Sequence, residues 1–448
     1  MTRARFAVWL VAAAVAFFRP NRARRRGMDS YTIARRQLDQ IEGSTGPLTP
    51  FADVCIIGSG ISGLSAAYNL ADEPGLGVVV FEARDFCSGA TGRNGGHLTP
   101  YLFQDFRKKA LQFGSAQAKA GFDLEQYNAR ALVKIIQDEG IADAIDLVHG
   151  GHTCILMSDE DWDDLQNDFE AARAAGTDLS SVAWFTKKEM YEKYGTHYAG
   201  FTFDVYNLWP LKLVTQFYHI AKRRLQSSSG SLSLHTNTPV NEVLPSGEDW
   251  ELVTPRGSTT CKYVLHTTNG YAGHLLPSMS GEAGIVPGRG QVVTTHLRNT
   301  GMSSWSNLKG DEYWFPRPGG AESPLIILGG GGHTSGVVDD SVTEQHYHNF
   351  LLKFLPEVFD TPQYEPEMEW TGIMGFTSIG DPFVGPLEPL EGRSFKGQYI
   401  SAGFSGHGMP RTFASAQSAA QMILANLHGE TWAQPEWIPD RFLTWNRV

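Results

Sequence analysis

The residues Ala52-Asp53-Val54-Cys55-Ile56-Ile57 form a short apolar run of the kind a buried parallel strand requires. Behind it, Ile61, Leu64, Ala67, Tyr68 and Leu70 recur at helical spacing, and Gly77-Val78-Val79-Val80-Phe81-Glu82 is a second buried strand. Strand, helix and strand together make one βαβ unit of roughly thirty residues. Farther along, Leu111–Asp138 interleaves charges among apolar positions and predicts a helix. Ser158–Ala175 predicts another with an acidic outer face, and Pro210–Leu225 one that starts on a favoured first-turn proline. Leu232–His235, Tyr263–Thr267 and Gln291–His296 read as strands, and Ser323–Gly332 as a strand running into glycines. Gln398–Gly403 predicts a last strand, then a glycine-rich turn and a helix from about Arg411. That helix keeps Phe413, Ala416, Ala420, Ile423 and Leu427 on its inward side.

Composition narrows the class. A chain of 448 residues is long enough for two domains, and its 48 glycines cluster where turns would close around a ligand. The net charge of -11 argues against nucleic acid as a partner. Cys55, Cys87, Cys154 and Cys261 form no CxxC pair, so neither zinc nor redox spacing is present, no metal is expected, and Cys55 reads as a buried free thiol. Residues 1–28 carry no acid, seven arginines and an apolar run over 6–18 that is too short to span a bilayer. That segment reads as a signal peptide, an organelle-targeting segment or an anchor lying on a membrane, unless Met28 is the true start. No Asn-x-Ser/Thr sequon occurs, which favours an intracellular compartment. The fold therefore begins near residue 51, after a 1–50 extension and linker.

Gly58-Ser59-Gly60-Ile61-Ser62-Gly63 is a GxGxxG sequence between a strand and a helix, with an acid, Glu82, closing the next strand. In that context Gly58 permits the tight turn, Gly60 admits a pyrophosphate to the backbone, and Gly63 lets helix and strand pack closely. The helix N-terminus offers N–H groups to phosphates, and Glu82 would accept ribose hydroxyls. The dinucleotide is NAD or FAD on this evidence. Gly89-Ala90-Thr91-Gly92-Arg93-Asn94-Gly95-Gly96-His97 follows the second strand, where a flavin would run away from its pyrophosphate, and favours FAD. So does Gly403-Phe404-Ser405-Gly406-His407-Gly408-Met409-Pro410, which sets a second helix N-terminus at the cofactor, where a dipole stabilises a reduced flavin.

These segments, in this order, resemble the D-amino-acid-oxidase-like FAD superfamily, in the branch that holds sarcosine, glycine and γ-glutamylputrescine oxidases. Trp209-Pro210-Leu211, Thr267-Thr268-Asn269-Gly270-Tyr271, Pro287-Gly288-Arg289-Gly290-Gln291, Leu328-Gly329-Gly330-Gly331 and Asp381-Pro382-Phe383-Val384-Gly385-Pro386 extend the resemblance over about 52–427. It implies an α/β fold with a Rossmann-like, glutathione-reductase-type FAD domain from 51–105, 205–285 and 370–440. An α+β substrate domain with an antiparallel sheet would come from 106–204 and 286–369. It implies oxidation of a C–N bond of a small amine or amino acid, with O2 or another acceptor taking the electrons. Cofactor contacts would fall on Gly58, Gly60, Ile61, Ser62, Gly63, Glu82, Ala83 and Arg84. Others would fall on Thr91, Arg93, Asn94, Gly95, Gly96 and His97, on Val240 at the adenine end, and on Gly406, His407, Gly408 and Met409. Ile327 stands where the sarcosine-oxidase branch carries an oxygen-activating lysine, and no cysteine lies near Trp370–Asp381, so non-covalent FAD is expected.

Flavin amine oxidation needs little acid–base machinery; the protein orients and desolvates the substrate. Tyr313, on the expected substrate sheet beside Trp314, His407 and Arg289 are the catalytic candidates, with packing or turn stabilisation as their alternative roles. His333 and Tyr271 are weaker candidates. Asp161, Asp163 and Asp164 read as a solvated helix face. Competing readings are a flavin monooxygenase and a flavoprotein scaffold that keeps FAD for stability.

Overall fold

The computed structural model describes residues 41, 44–296, 301–308, 312–318, 324–390 and 392–447. The 6–18 segment and its targeting or membrane reading lie outside the described residues, within which no helix is long and apolar enough to cross a membrane. In chain order, the elements that matter below are β1 (Phe51–Ile57), α1 (Ile61–Leu70), β2 (Gly77–Phe81), α2 (Ser115–Asp138), β3 (Gly257–His266) and β4 (Val286–His296). They continue with β5 (Tyr313–Pro316), β6 (Leu325–Gly329), β7 (Met368–Phe376), β8 (Gln398–Ala402) and α3 (Thr412–His428).

Two sheets organise the molecule. In the first, β8, β3, β1, β2 and Ser231–His235 run in that order and in parallel, with Phe383–Pro386 antiparallel at the β8 edge. β1 pairs with β2 through Val54↔Val78 and Ile57↔Phe81, so the apolar runs read from the pattern become the buried centre of the sheet. Helices α1, Pro210–Ser227 and α3 cover one face with Leu64, Leu70, Leu213, Phe217, Phe413 and Ile423. A smaller cluster of Cys55, Phe81, Val240, Trp250 and Cys261 closes the other.

In the second sheet β4, β6 and β5 are antiparallel neighbours, and β7 pairs with β4 along its length, from Val286↔Phe376 to Thr294↔Met368. The boundary placed at 370 would assign β7 to the cofactor unit; its ladder ties it to the second sheet. Helix α2, drawn from the segment 106–204, buries Leu124, Leu132 and Ile136 in the first core. Trp305 and Trp314 stack 5.5 Å apart in the core behind the second sheet.

Three local expectations are corrected. Cys55 is not a free thiol: it is bonded to Cys261 on the neighbouring strand, while Cys87 and Cys154 remain free and buried. The bridge joins residues 206 apart, a pairing that no local spacing announces. The helix read over Leu111–Asp138 is two helices, because Gly114 takes φ +83°, outside the range helical residues adopt. Asp161 is buried, not solvated, and forms a capping box with Ser158 at the start of its helix. Asp163 and Asp164 are exposed as expected, and Asp164 pairs with Arg107.

Candidate functional site: a dinucleotide cradle facing an apolar cleft

β1 ends in a turn that only glycine can make. Gly58 has φ +116°, and a Cβ there would lie 2.8 Å from the Thr267 carbonyl oxygen. A Cβ on Gly63 would lie 2.0 Å from the Gly58 carbonyl oxygen, so helix and strand touch backbone to backbone. Gly60 is less confined, its nearest neighbour being Thr91 Oγ1 at 3.1 Å. Helix α1 starts on Gly60 with no side-chain cap. The positive end of its dipole thus lies at the glycine turn, as a phosphate site requires. Glu82 ends up beside the turn: Ser59 N–H and Oγ–H donate to its Oε2 at 3.1 and 2.7 Å, and Arg84 N–H donates to Oε1 at 3.0 Å. These donors aim the carboxylate and leave it lone pairs for hydroxyls. Asn237 and Thr238 donate backbone N–H groups to the Arg84 and Glu82 carbonyls, which carries Val240 to the same end of the sheet. The cradle fits an adenine dinucleotide.

The 89–97 loop crosses from this cradle to the second sheet. Thr91 Oγ1 accepts from Ile61 N–H at 3.0 Å, binding the loop to the start of α1. Arg93 is spent on structure: Nε donates to the Ser88 carbonyl and Nη1 to that of Thr371, both at 2.7 Å. Asn94 folds back onto Ala90 and accepts from Gly96 N–H. His97 lies behind the loop, edge-on to Tyr313, with Nε2 3.3 Å from the Trp314 carbonyl. Burial pushes its pKa down to about 4, so the ring is neutral.

Between Gly92–Gly95 and the sheet lies a small cleft of about 40 Å³, lined by Trp209, Pro210, Thr294, Arg317, Leu325, Ile327 and Met368 as well as Asn94. The strand period of two explains the wall. Phe315 pairs with Ile327 and Ile327 with Thr294, while Trp314 turns the opposite way into the core. Tyr313 shares the face of Phe315 against Gly95, and burial raises its pKa to about 12, which keeps the phenol protonated.

The turn before α3 is the third part. Ser405 and Gly406 take φ +51° and +79°. Asn269 Oδ1 accepts from Gly403 N–H and Phe404 N–H at 3.0 and 3.3 Å. From α2, Asn128 accepts from Ala414 N–H and donates to the Met409 carbonyl. Glu125, also on α2, receives His407 Nε2 and Arg411 Nε, each at 2.8 Å. Burial opposes ionisation of Glu125, but His407 and Arg411 beside it hold its pKa at about 2. Burial, with the Arg411 and Lys109 charges nearby, lowers the pKa of His407 despite the Glu125 carboxylate beside it. Tyr101 stacks on the His407 ring at 3.9 Å.

Of the catalytic candidates, Tyr313 stands at the sheet face that faces the loop, and His407 at the start of α3. Arg289 is elsewhere: its Nη2 pairs with Glu344 at 2.6 Å and Nη1 donates to the Asp339 carbonyl, and it does not line the cleft. Its guanidinium holds the Asp339 and Glu344 side of the sheet. Arg84 pairs with Asp340 at 2.7 Å and meets Tyr271, and His333 stacks on Phe376. Sequence reasoning missed Arg317, Glu125 and Asn128. A strand period continued from Tyr313 and Phe315 would have found Arg317; nothing local marks Glu125 or Asn128. No metal-holding group of side chains occurs among the described residues.

Comparison with known proteins agrees with this geometry. Residues 53–422 match the family model described as FAD dependent oxidoreductase. The γ-glutamylputrescine oxidoreductase of Escherichia coli is 24% identical over 391 residues, covering 83% of each chain. The solved glycine oxidase of Geobacillus kaustophilus superposes with a TM-score of 0.69 at 20% identity, over 88% of this chain and 99% of that one. L-proline dehydrogenase from P. horikoshii gives 0.68 at 21% identity, over 88% and 98%. With a cradle that fits the dinucleotide and a family match over most of its length, the chain belongs to the DAO family of FAD-dependent oxidoreductases.

Proposed function

We propose that this protein oxidises the C–N bond of an amine or amino acid. The observation that carries the reading is the apolar cleft between the Gly92–Gly95 loop and the second sheet, adjoining the cradle of Gly58, Gly60, Gly63 and Glu82. FAD bound in the cradle supplies a two-electron acceptor for the hydride equivalent on the carbon that bears nitrogen, leaving an imine that water hydrolyses. The chain's part is to hold and dry the substrate. Ile327, Leu325 and Met368 exclude water from the reacting carbon, and Trp209, whose ring already carries Arg317 and Lys212, completes the lining. Tyr313, protonated, lies at the start of β5 against Gly95 and Gly329 and supplies no base. The start of α3, where Asn128 accepts from Ala414 N–H, keeps the positive end of its dipole beside the 403–410 turn and would favour negative charge on a flavin held there.

FAD is held without a covalent bond in this reading, since no cysteine lines the cleft and His97 turns toward the Trp314 carbonyl. The electron acceptor is O2 or another molecule, and Ile327, apolar where the resemblance to the sarcosine-oxidase branch implies a lysine, weighs against fast use of O2. Anaerobic mixing of the yellow protein with a panel of amines and amino acids tests the reading. Bleaching of the visible flavin band by a member of the panel supports it. Bleaching by NADPH alone would instead indicate a monooxygenase, and no bleaching a flavoprotein scaffold. Acid precipitation that leaves flavin on the protein would refute the non-covalent attachment.

A further inference from the structure

The family match ends at residue 422, yet the chain beyond it is packed into the third part of the site. Trp437 stacks on Tyr127 of α2 at 4.1 Å, and Gln117 Nε2 donates to the Asp440 carboxylate at 2.9 Å, so the tail runs along α2 toward its first turn. Arg441 then points inward. Its Nε donates to Asp381 Oδ2 at 2.5 Å and its Nη1 to the Gln117 carbonyl, while its guanidinium lies over the rings of Phe113 and Phe442. The slot is fitted to it, since a Cβ on Gly121 of α2 would run into Arg441 Nη2. Asp381 has a second cation, Arg411 Nη1 at 3.5 Å. Arg411 Nε donates in turn to one oxygen of Glu125, whose other oxygen holds His407. Arg441, Asp381, Arg411 and Glu125 thus form an unbroken row of charges, with side-chain exposures of 9%, 5%, 6% and 2%, that ends on the His407 ring. Arg447 closes the outside by donating to the Asp381, Pro382 and Arg441 carbonyls.

We propose that the C-terminal tail is part of the candidate site, with Arg441 as a positioning residue: it occupies one side of Asp381, leaves Arg411 to Glu125, and through that pair sets the His407 turn. The inference rests on the reading that FAD lies against the 403–410 turn, and adds a segment that acts on it from a distance. The reason is electrostatic. Arg411 stands between two carboxylates, and charges this deep in the protein attract strongly. While Arg441 neutralises Asp381, Arg411 stays with Glu125. Without Arg441, Asp381 is a buried charge that has lost its nearer partner, a costly state that it relieves by drawing Arg411 toward itself. Glu125 then keeps His407 as its nearest partner, and the imidazole answers the bare carboxylate by taking a proton. In the natural chain burial, with the Arg411 and Lys109 charges, opposes that proton in spite of Glu125. Lys109 cannot replace Arg411 on the carboxylate without leaving the rings of Tyr101 and Phe122, over which it stands at 5.3 and 4.8 Å. Tyr101, stacked on the imidazole, completes the groups that face His407.

The test uses the FAD-loaded protein and requires no turnover. The visible flavin spectrum and the midpoint potential are followed from about pH 8 to about pH 5.5, across the ordinary histidine value of about 6.5. Arg441→Met is expected to show a one-proton transition in the spectrum that the natural protein lacks. On its acid side the reduction equilibrium should rise about tenfold over the natural protein's, about 30 mV for a two-electron couple, because an imidazolium at the turn favours the electron-rich flavin. Arg441→Lys, which restores the charge, should abolish the transition, and so should His407→Asn added to Arg441→Met. A natural profile in Arg441→Met overturns the inference even if that variant melts earlier, since lost packing alone moves no titration. A transition that persists in Arg441→Lys, or in the double variant, overturns it as well. Should Arg441→Met fail to fold, Gly121→Ala decides: alanine suits a helix, its methyl displaces the guanidinium, and every charge is kept. The transition in Gly121→Ala supports the inference and a natural profile refutes it. A panel of amines that bleaches nothing would refute C–N oxidation and leave this result standing, because the titration needs bound FAD alone. A spectrum and potential unmoved by His407→Asn would instead remove the flavin from the turn and overturn the inference.

Discussion

The cradle and the cleft are joined by the 89–97 loop but are built on opposite principles. The cradle is backbone: Gly58, Gly60 and Gly63 matter for the side chains they lack, and their six-residue turn closes on itself, on Thr91 and on Thr267. The cleft is side chains: Asn94, Trp209, Thr294, Arg317, Ile327 and Met368 come from distant parts of the chain and meet only because three strands and a loop are packed together. A backbone site tolerates almost no substitution and says little about what is bound beyond its phosphates. A side-chain site tolerates change and decides what else enters. Cofactor loss and substrate change should therefore be separable by mutation.

The largest effect is expected from Gly63→Val. Its Cβ would sit 2.0 Å from the Gly58 carbonyl oxygen, and since backbone cannot yield, the protein should purify without FAD, as read from its visible-to-ultraviolet absorbance ratio. FAD at natural occupancy in that variant would break the distinction. In the cleft, Ile327→Ala should lower stability by about 2–5 kcal/mol in denaturant melts of the FAD-loaded protein, because the pocket beside Val292, Met368 and Trp370 cannot fully collapse. The variant should nonetheless retain its flavin; loss of FAD there would show the two regions to be one.

The third prediction concerns pH. His97 is neutral in the fold, with its pKa lowered by burial from 6.5 to about 4. The unfolded chain takes up a proton at that position below 6.5 and the folded chain does not until about 4. His97 therefore contributes stability above pH 6.5 that is lost as pH falls toward 4, by roughly 3 kcal/mol at one pKa unit per 1.4 kcal/mol. In His97→Gln the decline in stability over that window should flatten, as followed by urea melts. An unchanged acid limb would show that His97 is not a source of it. The smallest effect belongs to Gly60→Ala, since Thr91 Oγ1 at 3.1 Å can give way: FAD affinity should fall about tenfold or less by fluorescence titration. A loss as complete as that of Gly63→Val would mean the turn discriminates less finely than its contacts show.

The contrast also governs how much could be read in advance. Gly58, Gly60, Gly63 and Glu82 were legible because the requirement for each is local: a turn, a close approach, a strand end. β1, α1, β2 and α3 follow from apolar periodicity for the same reason. The break at Gly114 was missed because a glycine inside a helical pattern is tolerated as often as it ends one. Arg289 was misplaced because a Pro-Gly-Arg-Gly turn looks like a ligand loop, whereas it begins strand β4 and its guanidinium is taken by Glu344.

By itself, then, the amino-acid sequence determined that this chain binds a dinucleotide on a βαβ unit and that a second glycine-rich helix start accompanies it. Those are properties of backbone conformation, which neighbouring residues dictate. Only the tertiary structure decided that Cys55 meets Cys261, that Glu125 on α2 locks His407 and Arg411 at the start of α3, and that Arg317 shares Asp146 with Lys212. The last two partners of Asp146 lie 171 and 66 residues from it, and Cys261 lies 206 from Cys55. Contacts over such separations depend on how two sheets and their helices pack, and no spacing along the chain encodes the direction in which a side chain will find its charge.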